Sequence, residues 1–461
     1  MLPLFLLICL VNLLYSQKEF DKWVFGKGAG LDFTSGSAVV MNTTSNGWDN
    51  SASIADSAGN LLFASDGQWI YDRAGNVMPN GSGIMGDTSG GATATIVRKP
   101  GSENLYYVFT DPGYTNVQGF RYTVVNMNLN GGLGDVDTAN KNVLVFTPFT
   151  EKIVPIVHAN GQDVWILVHE WNSDVYRAYL LTDTGLQTNY VASPVGSVIS
   201  GSQDNALGQL TVNSAGNMIA CAILNAGLID ISNFDNSTGV VNNTITVTDI
   251  STVIGLEFSP DGSKLYASHL NSQNLMQYDV SSFNQQAITN SGTAVGTIPA
   301  TYSTYAGGYL MLGPDGKIYV TVTFSHNVGV IDSPNLSGTA CHYNGTEIDL
   351  GQHTVIAGLV DKIAVTHIKS ATTVSNINAN IDVTSKAFPN PFNGYTNITV
   401  SGLQKPYDFE LVDLTGSVKR AIPSITDNHF QLINDGLAPG MYLYRIVVDG
   451  KPVAFSKLVI Q

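Results

Sequence analysis

The 461-residue sequence predicts an all-β protein, on three observations of composition and patterning. Charged residues make up only 12% of the chain, while Gly, Tyr and Phe number 46, 20 and 18. This composition is typical of β-rich, turn-rich extracellular proteins. Short apolar or alternating runs bounded by Gly, Pro, Asn or Asp recur along the sequence, as strands joined by tight turns would. A polar stretch at residues 369–386, without periodicity, predicts a linker between a long and a short domain.

The charge balance limits the partners of the protein. The formal net charge is −15, from 36 acidic and 21 basic residues. A nucleic-acid surface needs clustered Lys and Arg, and the sequence has no such cluster, so we expect no nucleic-acid partner. The acidity is consistent with solubility outside the cell.

The first element of the chain is an apolar run over residues 2–14, in the sequence MLPLFLLICLVNLLYSQ. The run is too short to span a bilayer as a stable helix but has the length of a signal-peptide core. The small residue Ser16, before Gln17, suits signal cleavage. We therefore predict a signal peptide over residues 1–16. No later stretch predicts a membrane-spanning helix, so we do not expect an integral membrane protein.

Six stretches of the long domain share one pattern, in which a turn ending in Gly is followed by an apolar or aromatic strand. Two of the turns read Ser-Pro-Asp-Gly and Gly-Pro-Asp-Gly, which suit a type I turn closed by glycine. The intervals between the glycines are 42, 60, 55, 46 and 54 residues. The glycines are Gly59, Gly101, Gly161, Gly216, Gly262 and Gly316.

This period, with strands and turns alone, predicts a β-propeller with four strands per blade. The alternative is an unrelated series of hairpins in a sandwich. The stretches KWVFGKGAGLDFTSG, around Trp23, and IAGLVDKIAVTHI, around Ala364, are expected to pair and close a seventh blade. Closure would remove exposed sheet edges. We therefore predict a seven-bladed propeller over residues 17–368.

Several phrases of this region resemble a family of large secreted proteins from Bacteroidetes-type bacteria, which open with a propeller-like module. They are WVFGKGAGLDFTSG, NLLFASDGQWIYDRAGNVMPNGSGIMG, LYYVFT, GGLGDVDTANKNVLVF and VWILVHEWNSDVYRAYLL. The resemblance covers roughly residues 20–370. It implies the propeller fold and secretion, but the family has no single known chemistry.

Residues 387–461 predict a small Ig-like β-sandwich. Five short strands, NITV, DFELVDL, HFQLI, GMYLYRIVV and AFSKLVIQ, are separated by turn signals such as NDGLAPG and VDGKP. The last apolar strand would then be held in a sheet rather than frayed.

Three motifs of this sandwich resemble the type A-like C-terminal sorting domain of the type IX secretion system. They are Pro389-Asn390-Pro391, Pro439-Gly440 with Tyr442, and Lys457-Leu458. The resemblance implies export through the type IX secretion machinery and a location outside the cell or on its outer surface. It also implies removal of the domain near the linker. The alternative is an ordinary accessory sandwich domain.

The sequence predicts no catalytic residues. His169 and Glu170 are adjacent, and neighbours on a strand point to opposite faces, so they do not form a catalytic pair. Glycosidase chemistry would need two carboxylates close together. Five acidic residues are candidates to reach the propeller mouth, namely Asp49, Asp66, Asp111, Glu170 and Asp204. Capping of turns and contact with solvent explain each of them more simply.

We also predict no metal site and no cofactor, calcium being the one weak candidate. The segment DVDTANKN, from Asp135 to Asn142, alternates oxygen ligands like the start of a calcium loop. It lacks the glycine at the sixth position and the distal Glu of such loops. A tight turn is the preferred interpretation.

Exposed aromatic residues could stack on sugar rings, with Trp48, Trp69, Trp171 and Tyr114 as candidates. Trp165, Tyr266 and Tyr319 occupy the repeated strand position and are expected in the core. Cys221 lies in the apolar run MIACAIL and is expected to be a buried small residue. Its pairing with Cys341 stays open at this point.

These observations favour a secreted or surface binding and adhesion module for a glycan or a protein. The alternative is an extracellular polysaccharide-degrading hydrolase or lyase with acidic residues at the propeller mouth. A purely structural surface protein is the third hypothesis.

Overall fold

The structure is a computed structural model that describes residues 18–47, 50–88, 93–111, 113, 119–248, 252–300, 306–361, 383–403, 405–412, 418–448 and 451–460. These residues form two compact units, residues 18–361 and residues 383–460. Strands dominate both units, as predicted. The described residues also contain one short helix, α1 (Gln285–Ser291), and five single 3-10 turns.

The described part of the first unit contains seven antiparallel sheets in chain order, with three strands in the first sheet, five in the third and four in the others. The first three sheets contain β1 (Lys22–Phe25), β2 (Lys27–Asp32) and β3 (Val39–Asn46); β4 (Ala52–Ala55), β5 (Leu61–Ser65), β6 (Trp69–Asp72) and β7 (Val77–Ser82); and β8 (Ala94–Arg98), β9 (Leu105–Thr110), β10 (Phe120–Asn126), β11 (Asp135–Val136) and β12 (Val143–Phe146).

The remaining four sheets of this unit each contain four consecutive strands. They are β13 (Phe149–Val157), β14 (Val164–Glu170), β15 (Ser173–Thr182) and β16 (Gly185–Ile199); β17 (Leu210–Val212), β18 (Met218–Ile223), β19 (Leu228–Asp235) and β20 (Val240–Thr248); β21 (Val253–Phe258), β22 (Lys264–His269), β23 (Ser272–Asp279) and β24 (Thr293–Thr297); and β25 (Gly307–Leu312), β26 (Ile318–Val322), β27 (Asn327–Ile331) and β28 (Tyr343–Asp349).

The first strands of successive sheets contact one another in the order β1, β4, β8, β13, β17, β21 and β25. These strands therefore surround a common axis, and the sheets are the blades of a propeller. Apolar clusters lie between neighbouring blades, as in the cluster that joins Phe109 and Phe120 of the third blade to Ile166 and Val168 of the fourth. The predicted seven-bladed propeller is thus the fold of this unit.

The segment after β28 joins the last blade to the first two. Thr354 pairs with Lys27 at the start of β2, Val355 with Ser325 of the last blade, and Val360 with Ser51 before β4. Leu359 and Val360 pack in the same apolar cluster as Trp23. The predicted closing stretch thus contacts the first blade through its described residues, up to residue 361, whereas Ala364 lies outside them.

The six pattern glycines lie in equivalent turns, between the first and second strands of the second to seventh blades. All six have positive φ, between 68° and 87°. Glycine is favoured there because a side chain strains this backbone conformation. The repeated glycine of the sequence pattern therefore corresponds to one backbone conformation that is repeated in six turns.

The second unit is a sandwich of two sheets. One sheet has the order β29 (Thr384–Phe388), β30 (Tyr395–Ser401) and β33 (His429–Ile433), and the other has the order β32 (Val418–Ile425), β31 (Tyr407–Val412), β34 (Gly440–Val448) and β35 (Lys451–Ile460).

One apolar core, which includes Phe409 and Tyr444, fills the space between the two sheets. The sequence prediction missed two strands of this unit. β29 begins inside the predicted linker 369–386, and β32 contains Pro423 and has no buried residue.

Candidate functional site

One end of the propeller axis opens into a cavity of about 830 Å³. It lies where the first strands of three blades end, at Val157 in β13, Val212 in β17 and Leu312 in β25. The turns after these strands and residues next to β1 and β2 complete its walls. The cavity is therefore a product of the repeat, because each blade brings its first turn to the same end of the axis.

The walls of the cavity are apolar and its rim is exposed. Phe33, Ile156 and Val212 line it and are at most 6% exposed. Aromatic packing supports this wall, because the ring of Phe33 lies 4.8 Å from that of Trp23, between ring centroids. The exposed turn residues Ala215 and Pro314 stand at the rim. An apolar concave surface with a few fixed polar groups is typical of ligand pockets.

The polar groups of the cavity are fixed by the turns that carry them. The Asp315 carboxylate accepts a hydrogen bond of 2.9 Å from the Tyr319 hydroxyl. The Asn213 side chain is bonded to Asn217 across its own turn, with Nδ2 to Oδ1 at 2.8 Å. His158 Nδ1 accepts the backbone N–H of Asn160 at 3.0 Å. These groups can orient a ligand without first losing side-chain freedom.

The opposite end of the axis is filled by buried acidic side chains. Glu151 lies six residues before Val157 in β13, which is roughly 20 Å along an extended strand. Asp111 follows β9 and is fully buried, and Glu151 is 2% exposed. Burial, and then the Glu151 carboxyl, raise the pKa of Asp111 well above its ordinary value. A charge on the Glu151 carboxyl therefore opposes the ionisation of Asp111.

Asp361, in the closing segment, is a third buried acid at this end. Its carboxylate accepts hydrogen bonds from Asn50 Nδ2 and from Thr95 Oγ1, each at 3.2 Å. Burial raises the pKa of Asp361 well above its ordinary value, although these two bonds act in the opposite direction. Asn50 Oδ1 also accepts the backbone N–H of Leu359 at 3.1 Å. The network therefore ties the closing segment to the second and third blades.

Lys152 is fully buried beside this acidic group, but its ammonium binds elsewhere. Nζ donates to the carbonyl oxygens of Ala206, Leu207 and Gly208, at 3.0, 2.9 and 3.1 Å. Burial lowers the pKa of Lys152. Burial, followed by the charge of Lys152, lowers the pKa of His169 to about 3. His169 is therefore a neutral core residue at physiological pH rather than an acid–base group.

Asp111 and Glu151, at the acidic end of the axis, are both buried. Asp111 Oδ2 has no hydrogen-bond partner among the described residues, but it is enclosed by protein. In the part of the chain that the structure describes, no group of three or more His, Cys, Asp or Glu side chains could hold a metal ion.

Three of the five acidic candidates from the sequence have separate structural roles. Asp66 caps a turn, accepting from the backbone N–H of Trp69 at 2.8 Å. Glu170 forms an ion pair with Arg177. Asp204 accepts from Asn225 Nδ2 at 2.8 Å.

Of the two other candidates, Asp111 belongs to the buried group, and Asp49 lies outside the described residues. Sequence reasoning missed Glu151, Lys152 and Asp361 as members of that group. A pair of charges inside the apolar run FTEKIVPIV was the available signal for the first two.

The segment from Asp135 to Asn142 begins with the short strand β11 and continues into a 3-10 turn at Thr138–Asn140, whereas the sequence analysis preferred a turn throughout. The Asp135 carboxylate accepts from Asn80 Nδ2 at 2.7 Å. Asp137 accepts from the backbone N–H of Ala139 at 3.1 Å and from Asn140 Nδ2 at 2.7 Å. The oxygen atoms that suggested a calcium loop are therefore used within the fold.

The expected core aromatics are confirmed, since Trp165, Tyr266 and Tyr319 are at most 6% exposed. Trp69 is 40% exposed, and Trp171 packs against an apolar cluster. Trp48 and Tyr114 lie outside the described residues. Cys221 and Cys341 are both buried and are not bonded to each other.

The three motifs of the sandwich meet at β35. Lys457 and Leu458 lie in this strand, and Tyr442 of β34 pairs with Leu458. The neighbouring Gly440 pairs with Ile460, and Pro439 precedes β34. Pro389-Asn390-Pro391 follows β29, and the Asn390 side chain bonds to β35. Sequence positions almost 70 residues apart, Asn390 and Val459, are thus in direct contact.

Comparison with known families agrees with the sandwich motifs. Residues 386–461 match the family described as the Secretion system C-terminal sorting domain. No curated protein sequence matches the chain. The described part of the chain has no helix with the length and hydrophobicity needed to cross a bilayer. The chain thus carries a type IX sorting domain and is a secreted or cell-surface protein.

Solved structures with a similar course of the backbone have low sequence identity. A functionally unknown protein from Desulfotomaculum acetoxidans has 13% identity and a TM-score of 0.43, over 73% of this chain and 97% of that chain. The periplasmic gluconolactonase of Pseudomonas aeruginosa has 12% identity and a TM-score of 0.40, over 85% and 94%. A Lactobacillus plantarum protein has 14% identity and a TM-score of 0.39, over 81% and 95%. At these levels no activity is transferred to this chain.

Proposed function

We propose that the propeller is the functional domain of this secreted protein and binds a glycan or a surface protein outside the cell. The observation that carries the proposal is the open cavity of about 830 Å³ on the propeller axis. It combines apolar walls with polar groups that the turns hold in place, which suits recognition of a partly polar ligand.

An extracellular polysaccharide-degrading enzyme is the second candidate, because Asp111 and Glu151 form a pair of carboxyl groups with a raised pKa at Asp111. Such a pair is what glycoside hydrolysis uses. Both side chains are enclosed, however, and the cavity lies at the other end of the axis. We therefore prefer binding to catalysis.

We further propose the order of parts along the chain. Residues 1–16 act as a signal peptide, 17–368 as the propeller, 369–386 as a linker that overlaps β29, and 387–461 as a type A-like sorting domain. The sorting residues are Pro389, Asn390, Pro391, Pro439, Gly440, Tyr442, Lys457 and Leu458. The sequence resemblance supports an origin in Bacteroidetes-type bacteria, and the match at residues 386–461 supports the sorting role.

Blocking the cavity tests the binding proposal. Ala215 stands at its rim in the turn Ser214-Ala215-Gly216-Asn217, and Ala215→Trp would fill the opening. The second blade has the same turn sequence, Ser57-Ala58-Gly59-Asn60, with Ala58 exposed and outside the cavity. Ala58→Trp is therefore a control at a matched position.

The two variants and the wild-type chain are tested on glycan arrays and against outer-surface protein extracts, followed by titration with each ligand found. We expect Ala215→Trp to weaken binding at least about tenfold, the effect of losing roughly 1.4 kcal/mol, while Ala58→Trp binds like the wild type. Equal binding by the two variants would place the ligand site elsewhere. Release of reducing sugar ends from a polysaccharide would instead support the enzyme.

A further inference from the structure

The strand β35 lies at one edge of its sheet, in which the strand order is β32, β31, β34 and β35. One side of β35 pairs with β34 from Gly440 with Ile460 to Val448 with Lys451. Among the described residues, no further strand of that sheet pairs with its other side, where Phe392 forms a single parallel bridge with Ile460. Exposed edges of this kind attract other strands, and natural proteins cover or interrupt them.

The segment from Pro389 to Phe392 covers the second half of this edge. Asn390 Nδ2 donates to the Lys457 carbonyl oxygen at 2.8 Å, and Asn390 Oδ1 accepts from the Val459 N–H at 2.8 Å. The Phe392 N–H then donates to the Val459 carbonyl oxygen at 3.0 Å. Three consecutive edge groups of β35 are therefore satisfied by this one segment.

The composition of the segment fits that role. A side-chain amide carries the same donor and acceptor as a peptide group, so Asn390 can take the place of a pairing strand. Pro389 and Pro391 have no N–H and cannot continue a ladder of hydrogen bonds. The segment thus forms one bridge to the edge, between Phe392 and Ile460, and is not a strand of the sheet among the described residues. An alternation of Pro, Asn and Pro provides both properties.

We propose that Asn390 is a positioning residue for export, which caps the edge of β35 and holds this strand in the form that the secretion machinery binds. β34 holds the strand from one side, through the pairs Tyr442 with Leu458 and Gly440 with Ile460. Asn390 holds it from the other. The proposal rests on the sorting domain and is independent of what the propeller binds.

The test compares Asn390→Ala, Asn390→Asp and the control Asn393→Ala in full-length protein, expressed in cells with a type IX system. Asn390→Ala removes both side-chain bonds. Asn390→Asp keeps the volume and the acceptor for Val459 but places an oxygen against the Lys457 carbonyl. Asn393 is exposed and directly follows this segment. The exported fraction is measured together with amide hydrogen exchange at Val459 in the purified chains.

We expect a smaller exported fraction for both Asn390 variants than for the wild type. The Val459 amide should exchange roughly tenfold faster or more, and the variant with the faster exchange should be exported less. Asn393→Ala should match the wild type in both measurements. If Asn390→Ala yields no folded protein, the exported fraction and the Val459 exchange of Asn390→Asp test the proposal. Normal export by a variant whose Val459 amide exchanges freely would overturn the proposal. So would unchanged protection of Val459 in both Asn390 variants.

Discussion

At the scale of single residues, the most unusual groups are the buried acids at one end of the propeller axis. Asp111 and Asp361 both have a pKa raised well above the ordinary value, with burial as the main cause. A raised pKa means that the folded state keeps a proton that the unfolded state has released. The free energy of unfolding therefore falls as pH rises from about 4, the ordinary pKa of Asp, towards the raised value.

Asp111→Asn tests this relation. The amide keeps an acceptor for the Gly113 N–H, which Asp111 Oδ1 now binds at 2.8 Å, and it carries no charge. Because the amide cannot ionise, we expect Asp111→Asn to unfold at a higher temperature than the wild type at pH 8, and at nearly the same temperature at pH 4. Thermal unfolding of the two proteins at both pH values measures this difference.

Asp279→Asn is the control of opposite sign. Hydrogen bonds from Ser281 and then from Lys264 lower the pKa of Asp279 to about 2. Its charge therefore stabilises the fold above pH 4, and this contribution is lost as pH falls through about 2. Asp279→Asn should therefore lower the free energy of unfolding at pH 7. The loss should be small, because the Asp279 side chain is half exposed and solvent weakens its ion pair with Lys264. If Asp111→Asn is less stable than the wild type at pH 8, the prediction is wrong and the ionised Asp111 carboxylate stabilises the fold.

At the scale of elements, the turn glycines define where each blade starts its second strand. Gly316 has φ of 79°, and an added Cβ there would meet no atom within 4 Å. The cost of a side chain is therefore one of backbone conformation alone. We expect Gly316→Ala to lower the free energy of unfolding by about 1–2 kcal/mol, and Gly316→Asn to lower it less, since Asn tolerates this conformation.

Gly47→Ala is the matched control for that prediction. Gly47 belongs to the same unit, has no left-handed φ, and offers ordinary space for a Cβ. Denaturant unfolding followed by tryptophan fluorescence compares the variants. Equal losses at Gly316 and Gly47 would mean that the turn conformation does not limit stability.

The same turns explain how much of the fold could be predicted. Positive φ after a short turn leaves a local sequence signal, so the strands after Gly262 and Gly316 were predictable from Pro-Asp-Gly. The buried acids left no such signal. β13 shifts its pairing with β14 between Phe149 and Ile153, around Glu151 and Lys152. A local register shift decides which face a residue occupies, and sequence periodicity does not reveal it.

The cavity could not be predicted from the sequence either. It is built from turns of distant blades, with Val157, Val212 and Leu312 in the fourth, fifth and seventh. None of these residues is distinctive alone, and their proximity depends on closure of the whole ring. The sorting motifs were predictable because they are short, specific phrases, whereas the contact between Asn390 and β35 required the structure.

At the scale of the whole molecule, the chain combines two units with different roles. The match at residues 386–461 assigns the sandwich to sorting, and the propeller contains the cavity proposed to bind. The sandwich is then needed for delivery, and the propeller for activity after delivery. This division predicts that the two units are separated once the protein has crossed the outer membrane.

The intact mass and location of the protein in its native cells test this division most directly. We expect a species outside the cell or on its surface that starts near Gln17 and ends in the linker at residues 369–386. A chain that lacks residues 387–461 is the control and should stay in the periplasm. Full-length protein retained in the periplasm, or normal export of the truncated chain, would contradict the account.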